Sequence, residues 1–178
     1  MTRYVALLGS INVGGNRLLM ADLREALERE DFEQVETVVA SGNVLFSHDE
    51  RPSEGLAEKL AYVVRDRFGI DTFAAVRSRA ELEATLAESP FAGVGEDKYV
   101  HVHFLTGQPS PADFARLLAD HQGRGEEKLA PGTRALHVDY VNGAGGSKLT
   151  GDFIARRLGC KGTARNVRSI RRMIELME

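Results

Sequence analysis

The residues of this sequence that are best suited to hold a ligand are glycines, small polar residues and two cations. They fall in four short segments, with Asn12, Gly14 and Gly15 in the first, Ser41 and Asn43 in the second, Ser147 and Lys148 in the third, and Arg165 and Asn166 in the fourth. Backbone N–H groups of glycine-rich loops and helix N-termini can converge on a phosphate or carboxylate, and lysine or arginine adds charge. We therefore predict that these residues bind an anion. The alternative is that the glycines only supply tight-turn geometry.

No catalytic constellation accompanies these segments. The loop at 9–16 matches neither the G-x-G-x-x-G fingerprint nor the G-K-[ST] ending of a P-loop. The sequence shows no H-E-x-x-H motif and no nucleophilic triad, and its single cysteine, Cys160, lacks an evident base partner. We therefore name no catalytic residue and no cofactor, and the sequence leaves open whether the protein is an enzyme.

Three histidines and an aspartate offer a competing site for a transition metal. His101 and His103 share one face of a predicted strand, and His137 and Asp139 share one face of a strand expected beside it. If both sets lie on one sheet surface, imidazole and carboxylate groups would form a ligand set suited to zinc. The alternative, which we favour, is that they are ordinary polar residues, because sequence alone does not fix the strand register.

Charge is distributed unevenly along the chain. The formal net charge is -3, yet residues 148–172 contain eight lysines and arginines against one acidic residue, Asp152. Such a stretch suits an anionic small molecule or a nucleic-acid backbone. Base stacking finds little support, because the chain has no tryptophan and Phe153 is the only aromatic residue of the stretch. The alternative is a solvated helix face whose arginines pair with acidic residues elsewhere.

Hydrophobic periodicity predicts an α+β chain built from two similar halves. In the first half we expect strands at 4–8, 34–39, 43–47 and 71–76, with helices at 20–29 and 52–68. In the second half we expect strands at 99–105, 127–130, 135–141 and 161–165, with helices beginning near 110, 149 and 166. Each half has the β-α-β-β-α-β order typical of a ferredoxin-like unit, in which helices cover one face of an antiparallel sheet. The predicted organisation is two tandem lobes, 1–77 and 98–178, joined by a helical bridge at 78–97, with a C-terminal helix at the end of the second lobe.

This topology groups the four candidate segments into two clusters. The first strand of a ferredoxin-like unit ends at the edge where the second and third strands turn, so residues 9–16 should lie beside residues 41–43. In the second lobe the third and fourth strands end at a common edge, which should place Lys148 within reach of Arg165. Two cations at one edge would raise the affinity for a phosphate or carboxylate. If each cation instead pairs with a carboxylate of the protein, no anion binds there.

The chain resembles a bacterial family catalogued as domain of unknown function 1697. The family opens with A-L-L-R-G-I-N-V-G-G, and residues 6–15 read A-L-L-G-S-I-N-V-G-G. Its Q-S-G-N-V-x-F motif corresponds to A-S-G-N-V-L-F at 40–46. Its S-K-L and T-x-R-N-W motifs correspond to S-K-L at 147–149 and T-A-R-N-V at 163–167. The resemblance implies a two-lobed ferredoxin-like fold, and it implies no activity.

The sequence departs from the family pattern at three places. Gly9 and Ser10 stand where the family usually has Arg-Gly, Ala40 where it has Gln, and Val167 where it has Trp. If the usual arginine binds an anion, this protein lacks that contact.

The composition is that of an ordinary folded protein, with 43% hydrophobic and 28% charged residues. A single cysteine excludes an intrachain disulfide, and no apolar run is long enough to span a membrane. Residues 4–8 are apolar at every position, which predicts a strand buried on both faces. With no signal-like segment before that strand, we expect a cytoplasmic protein.

Three functions stay open at this point. The first is a non-catalytic protein that binds an anionic small molecule or a phosphate backbone. The second is an enzyme acting on a phosphorylated or carboxylated small molecule, with Lys148 and Arg165 clamping the anion. The third is an interaction protein whose glycine-rich loops only stabilise its packing. We favour binding, because the candidate clusters offer no evident general base.

Overall fold

The computed structural model describes residues 1–9, 17–39, 42–49 and 52–178. These residues form strands and helices in two successive groups. The first group is β1 Thr2–Gly9, α1 Met20–Glu28, β2 Glu33–Thr37, β3 Asn43–His48, α2 Ser53–Phe68, β4 Phe73–Ser78 and α3 Arg79–Glu88. The second is β5 Val100–Leu105, α4 Pro111–His121, β6 Lys128–Gly132, β7 Ala135–Asp139, α5 Gly151–Leu158, β8 Gly162–Asn166 and α6 Val167–Leu176.

The strands form two four-stranded antiparallel sheets with the same connectivity. The first has the order β2-β3-β1-β4 and the second β6-β7-β5-β8. In both sheets the first strand of the group is central and pairs with the third and fourth strands. The predicted α+β class with two ferredoxin-like lobes is confirmed.

The chain divides into two compact units. The first contains Met1–Leu82 together with Arg172–Glu178, and the second contains Glu83–Arg171. The division falls inside α3, within the segment 78–97 that the sequence suggested as a bridge. The last seven residues therefore belong with the first unit.

Strand β1 is buried on both faces, as its sequence predicts. Tyr4, Ala6 and Leu8 belong to the core that α1 and α2 form with the first sheet. Val5 and Leu7, which alternate with them, have no exposed surface at all. An unbroken apolar strand is the expected sequence of such an element.

Local sequence signals fix where several helices begin and end. Gly69 and Gly159 end α2 and α5 in the left-handed conformation, with φ of 66° and 75°, which glycine adopts without steric cost. At α3, Ser78 Oγ accepts the Glu81 N–H at 3.2 Å and Glu81 Oε1 accepts the Ser78 N–H at 3.0 Å. This is the reciprocal capping box that the S-R-A-E sequence predicts.

The strand register assigns the polar residues of the second sheet to its two faces. Leu136 and Val138 pack with α5 in the core of this unit, so their side of the sheet faces the helices. The register pairs His101 with Val138 and His103 with Leu136, which puts both histidines on that helix-facing side. The alternating residues, including Val102, His137 and Arg165, belong to the opposite face.

None of the helices in the described ranges combines the length and the apolar composition that crossing a bilayer requires.

Candidate functional site

The first predicted cluster falls largely outside the described residues. Asn12, Gly14, Gly15 and Ser41 are in the ranges that the structure does not describe, so anion binding there stays a prediction. Asn43 is described, and it is the first residue of β3, where it pairs with Leu7. Its side chain is 1% exposed, and its carbonyl accepts the Val38 N–H at 3.1 Å. Asn43 is therefore a buried residue of the sheet.

In the second cluster, Ser147 and Asn166 serve the local backbone. Ser147 Oγ accepts the Leu149 N–H at 3.0 Å, which shapes the turn before α5. Asn166 Oδ1 accepts the Ser169 N–H at 2.8 Å and so caps α6, as predicted from the sequence. Both side chains therefore stabilise the local backbone through these hydrogen bonds.

Arg165 is a mostly buried arginine that interacts with its own strand. Its Nη1 donates to Thr163 Oγ1 at 2.7 Å and to the Ala164 carbonyl at 2.9 Å. Burial lowers the pKa of its guanidinium to about 10. A guanidinium that is partly buried and already donates to its own strand has fewer N–H groups available for an anion at the surface.

Lys148 is exposed, and its neighbour Leu149 packs into the core on the helix-facing side of the second sheet. Arg165 belongs to the opposite face of that sheet. That Lys148 and Arg165 clamp one anion stays a prediction.

Lys148 instead lies beside an exposed arginine that follows α4. Arg124 Nη2 is 3.5 Å from the Lys148 carbonyl oxygen. The Arg124 Cζ atom lies 4.2 Å from the centroid of the Phe153 ring, a cation–π distance. We call Arg124, Lys148 and Phe153 the Arg124 surface.

The sequence of α5 positions the aromatic ring of this surface. Thr150 precedes the helix, and its hydroxyl accepts the Phe153 N–H at 3.2 Å, which fixes the first turn. Phe153 is partly buried against the core of the second unit. The ring is therefore a fixed platform on which a guanidinium can rest.

The ring contacts a second guanidinium that has a different role. Arg157 Cζ lies 3.5 Å from the Phe153 centroid, but its Nε donates to Asp120 Oδ2 at 3.0 Å. Arg124 has no carboxylate partner in the described part of the chain. Of the two arginines on the ring, Arg124 is the one whose remaining N–H groups face solvent.

The Arg124 surface can bind an oxyanion. A guanidinium presents N–H groups in a planar fork that matches phosphate or carboxylate, and the lysine ammonium supplies a second, mobile charge. Stacking on Phe153 limits the conformations of the Arg124 head group, which lowers the entropy lost on binding.

Sequence reasoning missed Arg124 because it lies outside the basic stretch at 148–172. The available signal was Phe153, the only aromatic residue of that stretch, because an aromatic ring among arginines is a common stacking partner. Its contact with a residue 29 positions earlier depends on the packing of α4 against α5.

The proposed metal set does not assemble. His101 and His103 are on the helix-facing side of the second sheet, whereas His137 and Asp139 are on the other side. The competing hypothesis of one shared metal surface, which the sequence did not favour, fails because the register pairs each histidine of β5 with an apolar residue of β7. The described residues contain no group of three or more histidine, cysteine, aspartate or glutamate side chains placed to hold a metal.

Each of these four side chains has its own partner or environment. His103 Nε2 is 2.9 Å from the Tyr140 hydroxyl, and burial lowers the pKa of His103 to about 4. Asp139 Oδ1 accepts the Val141 N–H at 2.9 Å. His137 is fully buried, with Nε2 2.9 Å from Glu88 Oε2. His101 stacks edge-on against Tyr140, with 4.9 Å between the ring centroids.

Comparisons with known proteins agree with this fold. A solved structure described as that of conserved bacterial protein SP0830 from Streptococcus pneumoniae aligns over 99% of both chains, with a TM-score of 0.68 and 22% identity. At that identity the likeness establishes the fold and nothing further. No curated protein matches the sequence.

The sequence profile of a family described as "Protein of unknown function (DUF1697)" matches residues 1–137. This range covers the whole first sheet and extends through α4 and β6 into β7 of the second. The predicted resemblance is thereby confirmed, with the motifs at 6–15 and 40–46 inside the matched range and those at 147–149 and 163–167 beyond it, and the chain belongs to the DUF1697 family.

Proposed function

We propose that this protein binds phosphate-bearing molecules and that Arg124 and Lys148 contact the phosphate. The observation that carries the proposal is the exposed Arg124 guanidinium, held on the Phe153 ring at 4.2 Å beside the Lys148 backbone. An exposed guanidinium that is held in place and lacks a carboxylate partner suits an incoming anion, and the Lys148 ammonium can add a second charge beside it.

The charge of the second unit supports this assignment. Residues 83–171 contain twelve lysines and arginines and ten acidic residues, whereas the first unit contains eleven and sixteen. The first unit therefore has a negative net charge, which repels an anion, and the second unit has a positive net charge, which attracts one.

Binding is favoured over catalysis by the tasks of the neighbouring polar groups. The hydroxyls of Ser147 and Thr150 accept backbone N–H groups, and Asp120 is paired with Arg157. A nucleophile or general base would have to abandon these contacts in order to act on a bound substrate.

The shared ligand chemistry is a phosphate group, which a small metabolite or a nucleic-acid backbone can supply. A backbone presents many phosphates, and its affinity falls steeply with salt concentration because counterions are released on binding. A small phosphorylated molecule makes one or two contacts and shows a shallow salt dependence. The slope of affinity against salt therefore separates the two sources.

The test compares parent and variant proteins in titrations with ATP, a sugar phosphate and a labelled oligonucleotide at low salt. Replacing Arg124 and Lys148 together by glutamine removes both cations from the surface. We expect the affinity to fall at least about tenfold, equivalent to roughly 1.4 kcal/mol. The preferred ligand class identifies the source of the phosphate.

The control carries the same change of charge elsewhere. Arg24→Gln with Arg29→Gln removes two exposed cations of α1, each in an ion pair within that helix. The control should bind as the parent does. Equal losses in both double variants, or no binding by the parent at millimolar ligand, would contradict the proposal.

We also propose that the protein acts in the cytoplasm. The sequence has a single cysteine, Cys160, so no disulfide within this chain requires an oxidising compartment. Fractionation of cells that express the tagged full chain tests the location, and recovery in the membrane or secreted fraction would contradict it.

A further inference from the structure

A mainly apolar cavity of about 660 Å³ lies in the second unit, between α4 and the strand β6. Its walls are formed by Pro109, Pro111, Phe114, Leu118 and Pro131. Cavities that hold small organic molecules usually measure roughly 300–1,000 Å³ and combine apolar walls with a few polar groups. The size and lining of this cavity match that description.

The cavity contains one charged group, the carboxylate of Glu88 at the end of α3. Glu88 Oε1 accepts the Thr133 N–H at 2.9 Å and the Thr133 hydroxyl at 2.7 Å. Glu88 Oε2 accepts His137 Nε2–H at 2.9 Å. Three donors, two from Thr133 in the β6–β7 turn and one from His137 in β7, hold the carboxylate at the cavity wall.

These contacts keep Glu88 negatively charged. Partial burial opposes ionisation, but the hydrogen bonds from Thr133 and His137 together outweigh it and lower the pKa of the Glu88 carboxyl. No lysine or arginine in the described ranges forms an ion pair with Glu88. The carboxylate therefore stays ionised at neutral pH without a lysine or arginine counter-charge.

The partner of the second carboxylate oxygen is the His137 ring. Its side chain is fully buried, and Nδ1 has no hydrogen-bond partner in the described structure. The ring therefore holds Glu88 from the sheet side, and the rest of the cavity lining brings no charged group to the carboxylate.

We propose that this cavity binds a small organic cation with an apolar body. The ammonium group pairs with Glu88, and the hydrocarbon body packs on Phe114, Leu118 and the prolines. Leu118 is 36% exposed, so a bound ligand would also cover an apolar side chain that now faces water. This site is independent of the Arg124 surface and selects the opposite charge.

Three probes of similar shape and different charge test the assignment. They are 4-phenylbutylamine, the neutral 4-phenylbutanol and the anion 4-phenylbutyrate, titrated into the full chain and followed by amide chemical shifts. We expect the amine to bind about tenfold more tightly than the alcohol, equivalent to roughly 1.4 kcal/mol. The butyrate should bind most weakly, and the shifts should centre on Leu118 and Gly132, which both line the cavity.

Two substitutions and a control separate charge from shape. Glu88→Gln keeps the size of the side chain, and it should reduce amine affinity to the level of the alcohol while leaving alcohol binding unchanged. Ala115→Trp, at an exposed α4 position lining the cavity, should block all three probes. Glu83→Gln removes another carboxylate of α3 and should change nothing.

Several results would overturn the proposal. These are equal affinity for amine and butyrate, shifts that centre outside the cavity, or Glu88→Gln binding the amine as the parent does. Reversible dimerisation of the parent that Ala115→Trp abolishes would assign the cavity to a second copy instead. The ranking of the three probes on the parent protein tests the proposal even if a variant fails to fold.

Discussion

At the scale of single residues, burial separates two arginines that look alike in the sequence. Arg165 lies in a family motif and is partly buried on its strand, and burial lowers its pKa to about 10. Arg124 lies in no motif, is exposed, and keeps most of its N–H groups available. A guanidinium that already donates to Thr163 and Ala164 has less to offer a ligand. The exposed arginine is therefore the better candidate for recognition.

His103 should make the fold sensitive to acid. Its pKa is about 4 in the folded chain, against about 6.5 for an exposed histidine. Between these values the unfolded chain takes up a proton that the folded chain does not. The contribution of His103 to the free energy of unfolding is therefore complete above about pH 6.5 and is lost as the pH drops to about 4, by about 3 kcal/mol in total.

Urea unfolding of the parent and of His103→Gln at pH 7 and pH 4.5 measures this effect. The variant cannot titrate at this position, so its loss of stability between the two pH values should be smaller by about 2 kcal/mol. Burial also lowers the pKa of His101, which leaves some acid sensitivity in the variant. An equal pH dependence in both proteins would show that His103 is not the responsible group.

At the scale of elements, Asn166 connects β8 to α6. It is the last residue of the strand, and its side chain caps the helix through the Ser169 N–H. Asn166→Ala should destabilise the protein by about 1 kcal/mol, whereas Asn166→Asp should retain the cap. Thermal unfolding compares the three proteins.

The same variants decide whether Asn166 also binds the anion, as the sequence suggested. If its role is the cap alone, phosphate affinity is the same in the parent and in Asn166→Ala. If Asn166→Ala lowers the phosphate affinity but not the stability, Asn166 contacts the bound phosphate.

The sequence predicted the elements well because their signals are local. Apolar periodicity located the helices, S-R-A-E marked the capping box of α3, and Gly69 marked the end of α2. The order of elements then led to the correct sheet connectivity, because each half alternates strands and helices in the ferredoxin-like order.

The candidate site was harder to predict because it depends on register and packing. One step along a strand moves a side chain to the other face, and that step separates His101 from His137. The contact between Arg124 and Phe153 depends on how α4 and α5 pack, which no local pattern encodes. The sequence therefore does not predict those contacts of the site that depend on strand register or on the packing of distant helices.

At the scale of the whole molecule, the C-terminal residues complete the first unit. Arg172–Glu178 group with Met1–Leu82 although they follow the second unit in the chain. Met177 is 6% exposed and lines a cavity with Thr2 and Tyr4 of β1. The beginning and the end of the chain thus contribute to one folded unit.

Shortening Met177 should therefore weaken the first sheet selectively. Met177→Ala removes a buried apolar side chain and should cost about 2 kcal/mol, because the lost burial is only partly recovered by relaxation. Hydrogen exchange of amides in β1 and β4 should accelerate, while amides in β5 and β7 keep their protection. Glu178→Gln is the matched control, since its ion pair with Arg79 at 3.2 Å is exposed and contributes little. Faster exchange in β5 and β7 alone, or no change in β1, would show that the last residues do not stabilise the first unit.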